Sequence, residues 1–303
     1  MHGHSMSRLA LIPALTLAAC WVVAVTAPRD LHAQAGLRER TMFVSALNSR
    51  GEVVEGLGTS DFVVTEDGRR REVLRVSSAL EPIDIAVLVD NSAASMKAIP
   101  SIRDGLRDFA TQMAVGNQIA LIALADRPTI FVDYTSSPER FGQGIGRLFP
   151  MSGSGMTLLD AIIEVSAGLR RREAPRAVII PIITNGAEFT NRYARDVVAA
   201  VRQAGASLHA IVIGNLTLGS TEERERAFAL DQGSRTTGGQ HVTLFAETAV
   251  EQALLKLARE LTGQYKVVYG RPESLIPPEK VEVASARNGV TMRGTPARGQ
   301  TGA

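Results

Sequence analysis

An acid, an amide and two hydroxyls stand together in Asp90-Asn91-Ser92-Ala93-Ala94-Ser95, directly after the apolar run "IDIAVLV". Two later stretches offer similar oxygens. One is "GSGMTLLDAI", with Thr157 at a predicted helix start; the other is "ITNGAEF", with Thr184 and Asn185 closing another apolar run. Carboxylate, hydroxyl and amide oxygens gathered in one crevice are what a hard cation such as Mg²⁺ or Mn²⁺ requires, some of them acting through water. Each also has a structural alternative. Thr157 with Asp160 fits a helix capping box, Ser92 and Ser95 fit acceptors for amides entering a helix, and Asn185-Gly186 fits a turn. Asp90 is harder to place as structure alone, because an unpaired carboxylate at a buried strand end is costly.

Periodicity identifies the elements that must position these residues. Residues 40 to 80 alternate apolar and polar around Asp-Gly and Arg-Gly turns, which predicts short β-strands ending near Pro82. From Ile83 onward, near-continuous apolar runs ("IDIAVLV", "QIALIAL", "RAVIIPIIT", "SLHAIVIG") alternate with amphipathic helical stretches. In the first of those helices Ile102, Leu106, Phe109 and Met113 recur at steps of four, three and four. Strands buried on both faces and joined by helices imply an α/β, Rossmann-like, doubly wound and mainly parallel sheet. "TIFVDY" reads as an edge strand, and Pro181 is a blemish in an otherwise central one. After Gly263 the pattern returns to β. The two flanks are expected to pair into one small accessory sheet, with the tail "TPARGQTGA" disordered. In such sheets ligands bind at the carboxyl ends of the strands, where the three oxygen-bearing loops fall.

The order and spacing of those loops resemble the von Willebrand factor type A domain over about Ile83 to Leu261. The flanks resemble the exported proteins related to it in Acidobacteria-like bacteria. The family's metal-ion-dependent adhesion site reads Asp-x-Ser-x-Ser, then a Thr, then an Asp. Carried over, the resemblance implies metal ligands at Asp90, Ser92, Thr157 and Asn185, with Ser95 one residue late because Ala94 holds the second serine position. It also implies a non-catalytic, adhesion-type module whose protein partner completes the metal shell with an acidic side chain. Asn185 in place of an aspartate removes one negative charge. A unit charge 4–5 Å from a divalent cation contributes roughly 4–7 kcal/mol gross at an effective dielectric of 20–40. A resident Mg²⁺ or Mn²⁺ is therefore expected to be weakly held in a degenerate site.

Other functions find less support. With 33 basic and 31 acidic side chains, a net +2, and only the triplets Arg69–Arg71 and Arg170–Arg172, there is no nucleic-acid footprint. A haloacid-dehalogenase-like phosphatase would need a second acid two residues after Asp90, where Ser92 stands. "GQGIGR" lies inside a helical stretch rather than after a strand, so it is no phosphate loop. No small-molecule substrate is expected, and the alternative to adhesion is a metal-free scaffold of the cell envelope.

The expected organisation is a signal peptide over 1–35, an N-terminal β element over 36–81, the α/β domain over 82–263, and a C-terminal β element with its tail over 264–303. Arg8, the apolar run Leu9–Ala27 and the small-residue site Ala33-Gln34-Ala35 fit export and cleavage, giving a periplasmic or secreted protein. Cys20 in "LAAC" also fits a lipid anchor, and 9–27 is long enough to remain as an uncleaved anchor. These are the only membrane contacts expected. Cys20 is the single cysteine, so a chain cut after Ala35 carries neither disulfide nor thiol chemistry.

Overall fold

Seven strands form the central sheet of the computed structural model, which describes residues 37–273 and 275–297. The signal, Cys20, the 9–27 segment and the last six residues lie outside the described residues. In chain order the strands and helices are β1 (Leu37–Leu47), β2 (Phe62–Glu66), β3 (Arg69–Arg71), β4 (Val73–Ser78), β5 (Ile83–Val89), α1 (Ile99–Met113), β6 (Gln118–Ala123) and β7 (Thr129–Thr135). There follow α2 (Pro138–Ile145), α3 (Leu158–Arg172), β8 (Arg176–Ile183), α4 (Ala194–Ala204), β9 (Ala206–Leu208), β10 (Ala210–Ile213), α5 (Thr221–Thr236) and β11 (His241–Leu244). The last four are α6 (Val250–Thr262), β12 (Tyr265–Pro272), β13 (Val281–Ser285) and β14 (Thr291–Pro296).

The central order is β11-β10-β8-β5-β6-β7, with β9 also paired to β8. All neighbours are parallel except β7, which runs antiparallel on the edge. Side-chain alternation divides β5 between two cores. Ile83, Ile85, Val87 and Val89 pack with α1 and α6, whereas Ala86 and Leu88 face the cluster built by α3, α4 and α5. Every residue of β5 and β8 is buried, which is why neither shows a polar face in the sequence. Each fully buried Ile, Leu or Val contributes about 1.5–3 kcal/mol relative to exposure, so these two strands anchor the loops at their ends.

Two expectations need correction. "SLHAIVIG" is two strands rather than one, broken at His209, and Pro181 lies opposite that break. Ile179 accepts the His209 amide and Ile182 accepts the Asp90 amide. Strand alternation therefore turns the missing Pro181 donor toward the interrupted neighbour, where no regular ladder bond is lost.

The flanks form two accessory sheets, not one. Strands β14-β1-β12-β4 make one and β13-β2-β3 the other, each mixing N- and C-terminal segments, with antiparallel pairs throughout. Asp67 and Gly68 both take positive φ (47° and 77°), the tight hairpin geometry that an Asp-Gly pair favours between β2 and β3. Phe62, Tyr265, Tyr269 and Met42 fill the core between the sheets. Thr295 and Pro296, expected to be disordered, belong to β14; the rest of that expectation, from 298 on, lies outside the described residues. The arginine triplets are part of the fold too. Arg69–Arg71 is β3, and Arg170–Arg172 occupies the last turn of α3, where cations favour the helix dipole.

Candidate functional site

Asp90 leaves the carboxyl end of β5 fully buried, and the protein itself supplies its donors. Its Oδ1 accepts the Ser92 amide at 2.8 Å. Its Oδ2 accepts both the amide of Thr184 at 3.1 Å and the Thr184 hydroxyl at 2.5 Å. The carboxylate thus ties the end of β5 to the end of β8. Asn91 ties the other side: its Oδ1 accepts the amides of Leu124 and Ala125, and its Nδ2 donates to the Phe149 carbonyl. The Met151 amide donates to the Asn91 carbonyl, and the Met156 amide to Ala187. These bonds bring the three predicted loops into one crevice.

Within it the hydroxyls behave differently from one another. Thr157 precedes α3, but its side chain does not cap that helix. Its hydroxyl donates to the Leu124 carbonyl at 2.8 Å, and Asp160 pairs with Arg192 instead of reaching back, so the capping box is absent. Ser95 donates to the Ser92 carbonyl at 2.8 Å, inside the 3₁₀ turn Ala93–Ser95. The late serine is therefore held by its own turn, and the Ala94 methyl faces Gly186: a Cβ at Gly186 would meet it at 3.2 Å. Ser92 Oγ is buried with no hydrogen-bond partner and would lie 2.7 Å from that same Cβ. Gly186 leaves the space that this oxygen faces. Asn185 is exposed.

Two charged residues not expected at the site complete it. Arg226 on α5 is fully buried and its Nη1 donates to the Gly186 carbonyl at 2.5 Å. The sequence signal was its register, since Arg226, Ala229, Leu230 and Gly233 share the buried face of "RAFALDQG". Glu188 is buried, with one oxygen accepting the Thr190 hydroxyl at 2.6 Å and the other unpartnered. Burial pushes its pKa up to about 7, against the pull of Thr190 and Arg226.

A raised pKa means that the folded state holds the Glu188 proton more tightly than the unfolded chain. Stability from this group is full below pH ~4.5 and is lost as pH rises to about 7. Glu188→Gln is expected to remove that slope, gaining on the order of 2–3 kcal/mol over wild type above pH 7. Buried His209, held neutral with its pKa lowered to about 4, loses stability in the opposite direction, as pH falls below ~6.5. Melting curves of both proteins from pH 4.5 to 7.5 check this, because the difference between them cancels His209.

Residues 85–187 match the family model of the von Willebrand factor type A domain. This segment is a von Willebrand factor type A domain. No curated protein matches the sequence. Among solved structures, a D319A mutant of the PilB minor pilin from Streptococcus sanguinis aligns at 8% identity and a TM-score of 0.46. That alignment covers 60% of this chain and 62% of the pilin. The von Willebrand factor domain of the type V pili tip protein Mfa5 from Porphyromonas gingivalis aligns at 11% identity and 0.45, over 61% of this chain and 96% of that one. Proximal thread matrix protein 1 from the mussel byssus, solved with a zinc-occupied adhesion-site motif, aligns at 15% identity and 0.47. It is matched over 68% of this chain and 50% of its own.

Whether this type A domain fits the family's divalent cation depends on charge as much as on oxygen count. Asp90 is the one carboxylate among Asp90, Ser92, Ser95, Thr157 and Asn185, and both its oxygens already accept protein donors. Among the described residues no group of three or more His, Cys, Asp or Glu is placed to hold a metal ion. A guanidinium lies buried behind Gly186. On charge, this donor set does not fit a resident Mg²⁺ or Mn²⁺.

Proposed function

We propose that the chain is a non-catalytic, exported protein-binding module that engages its partner at the carboxyl-end face of the type A domain without a resident metal. The observation that carries this reading is an apolar rim. Met96, Phe149, Met151, Phe189 and Tyr193 are 44–61% exposed, and all five lie in the connections that Asp90 and Asn91 draw together. Exposed large apolar side chains clustered around one crevice mark a protein contact surface. Phe189 packs over Gly155, where a Cβ would strike its ring at 2.6 Å, so the aromatic is held in place rather than merely loose. Arg103 stacks on the Phe149 ring at 4.2 Å, presenting a cation beside the rim, which suits an acidic partner segment.

The non-catalytic part rests on chemistry. An Asp90 carboxylate saturated by three donors is poorly placed as a nucleophile, and Ser92 stands where a phosphatase of the haloacid-dehalogenase type needs an acid. Export rests on the Leu9–Ala27 run and the small residues at 33–35.

The test is capture from an envelope fraction, with wild type compared to Met151→Asp/Phe189→Asp and to Phe228→Ser, an exposed apolar residue elsewhere on α5. Partners retained by wild type and Phe228→Ser, unaffected by chelator, and weakened at least ~30-fold in the double variant are expected. An identical partner list for the double variant would place binding elsewhere, on the sheet edges or the accessory sheets.

A further inference from the structure

Arg226 is among the largest fully buried side chains of the protein, yet only one of its nitrogens is accounted for. Nη1 donates to the Gly186 carbonyl at 2.5 Å and lies 3.6 Å from the Met156 sulfur. Nε and Nη2 are buried with no hydrogen-bond partner, and among the described residues no carboxylate forms an ion pair with the guanidinium within 4 Å. An arginine in this position keeps its charge, since guanidinium groups are effectively always protonated in proteins. Burial works against that charge, while Glu188, Glu223 and Asp90 attract it, in that order.

Gly186 is the point where this charge meets the crevice. Its carbonyl holds Arg226 on one side, and on its Cα side the unpartnered Ser92 Oγ and the Ala94 methyl line the space. We propose that Arg226 is a fixed cation built in behind the Asp90 crevice, which stands in for a divalent ion and excludes it. The Asp90 carboxylate and the guanidinium offset one another, and Glu188, whose proton is held by burial, adds only part of a negative charge at neutral pH. A site with two carboxylates and no arginine would present two negative charges to the same ion. Because no ion pair quenches the guanidinium locally, its field reaches Asp90 and the loop 184–188 together. Asn185 fits this arrangement, because a neutral amide there leaves the balance between Asp90 and Arg226 undisturbed. The inference concerns the same crevice as the proposed binding face but does not depend on a partner docking there.

Mn²⁺ alone is the probe, titrated into the purified chain and followed by water-proton relaxation. Wild type, Asn185→Asp, Asn185→Asp/Arg226→Lys and Asn185→Asp/Arg226→Gln are compared, each with its melting temperature. Glutamine can still donate to the Gly186 carbonyl but carries no charge, whereas lysine keeps the charge. Wild type and the lysine variant are expected to show no saturable binding up to millimolar Mn²⁺. The glutamine variant is expected to bind at least tenfold more tightly than Asn185→Asp alone. Equal binding by Asn185→Asp and the glutamine variant would overturn the proposal. So would submillimolar binding by wild type that Asp90→Asn abolishes, a result that needs no arginine variant to fold. The first result would leave the proposed function untouched; the second would also remove its metal-free clause, while the role of the apolar rim would still be decided by capture with Met151→Asp/Phe189→Asp.

Discussion

Asp90→Ala is expected to lower the unfolding free energy by roughly 3–5 kcal/mol, and by the same amount in Mg²⁺ and in chelator. The change strands three buried donors, the amides of Ser92 and Thr184 and the Thr184 hydroxyl. Each buried donor left unsatisfied costs about 1–3 kcal/mol, and the rotatable hydroxyl falls at the low end. It also leaves the buried Arg226 charge less compensated. Asp90→Asn keeps one acceptor oxygen and is expected to cost roughly half as much. Urea titrations with and without Mg²⁺ check both variants. A loss seen only when Mg²⁺ is present would show that Asp90 serves a metal and not the strand ends.

The second large effect is expected at the opposite end of the sheet. Arg176 begins β8, is nearly fully buried, and clamps both connections between the type A domain and the accessory sheets. One side of its guanidinium donates to the carbonyls of Ala79 and Glu81, before β5. The other donates to the Leu261 carbonyl at 2.6 Å and to Gln264 Oε1 at 2.7 Å, after α6. Gln264 in turn donates to Ser45 Oγ on β1. Burial lowers the Arg176 pKa to about 10, so it is charged at neutral pH. Arg176→Met leaves four acceptors without their donor and is expected to cost about 3–5 kcal/mol. Cleavage by a protease near residues 79–82 and 261–264 should rise with it. Arg176→Lys, which can serve only some of the four, should fall between the two proteins. Unchanged stability and unchanged cleavage in Arg176→Met would mean that the two connections hold without the clamp.

The parts that were legible in the sequence share one property: their signal is carried by many residues at once. The β5 run and the α1 spacing of Ile102, Leu106, Phe109 and Met113 each emerge as read. The doubly wound, mainly parallel sheet followed from that alternation, the type A reading from a resemblance in the order and spacing of the three loops, and the position of Asp90 at a strand end from the length of the run. What stayed hidden depends on single atoms. Nothing local says that Thr157 donates to Leu124 instead of capping α3, or that Ser95 turns back onto Ser92. The break at His209 is set by tertiary pairing, as is the division of the flanks into two sheets. Arg226 reads as one more charge in the polar run "TEERER" until its register with Ala229, Leu230 and Gly233 is counted. The apolar rim was hidden because Met96, the neighbours Phe149 and Met151, and Phe189 come from three loops far apart in sequence.

The braiding of the two flanks has a consequence for how the protein is made. Apart from a bridge of Leu47 to Val53 at its end, strand β1 finds its partners far along the chain: Leu37 pairs with Pro272, and Met42 with both Val267 and Pro296. Leu57 likewise waits for the Tyr265 hydroxyl, 208 residues further on. During synthesis at about 5–20 residues per second, the N-terminal strands are therefore exposed for roughly ten seconds or more before their partners exist. Type A domain residues 83–262 can close their own sheet in that interval, drawing residues 79–82 and 261–264 together. The accessory sheets then form last, as a seal over a finished domain, and a chain that ends before Tyr265 would keep the domain but display β1 and β4 as open, unpaired edges.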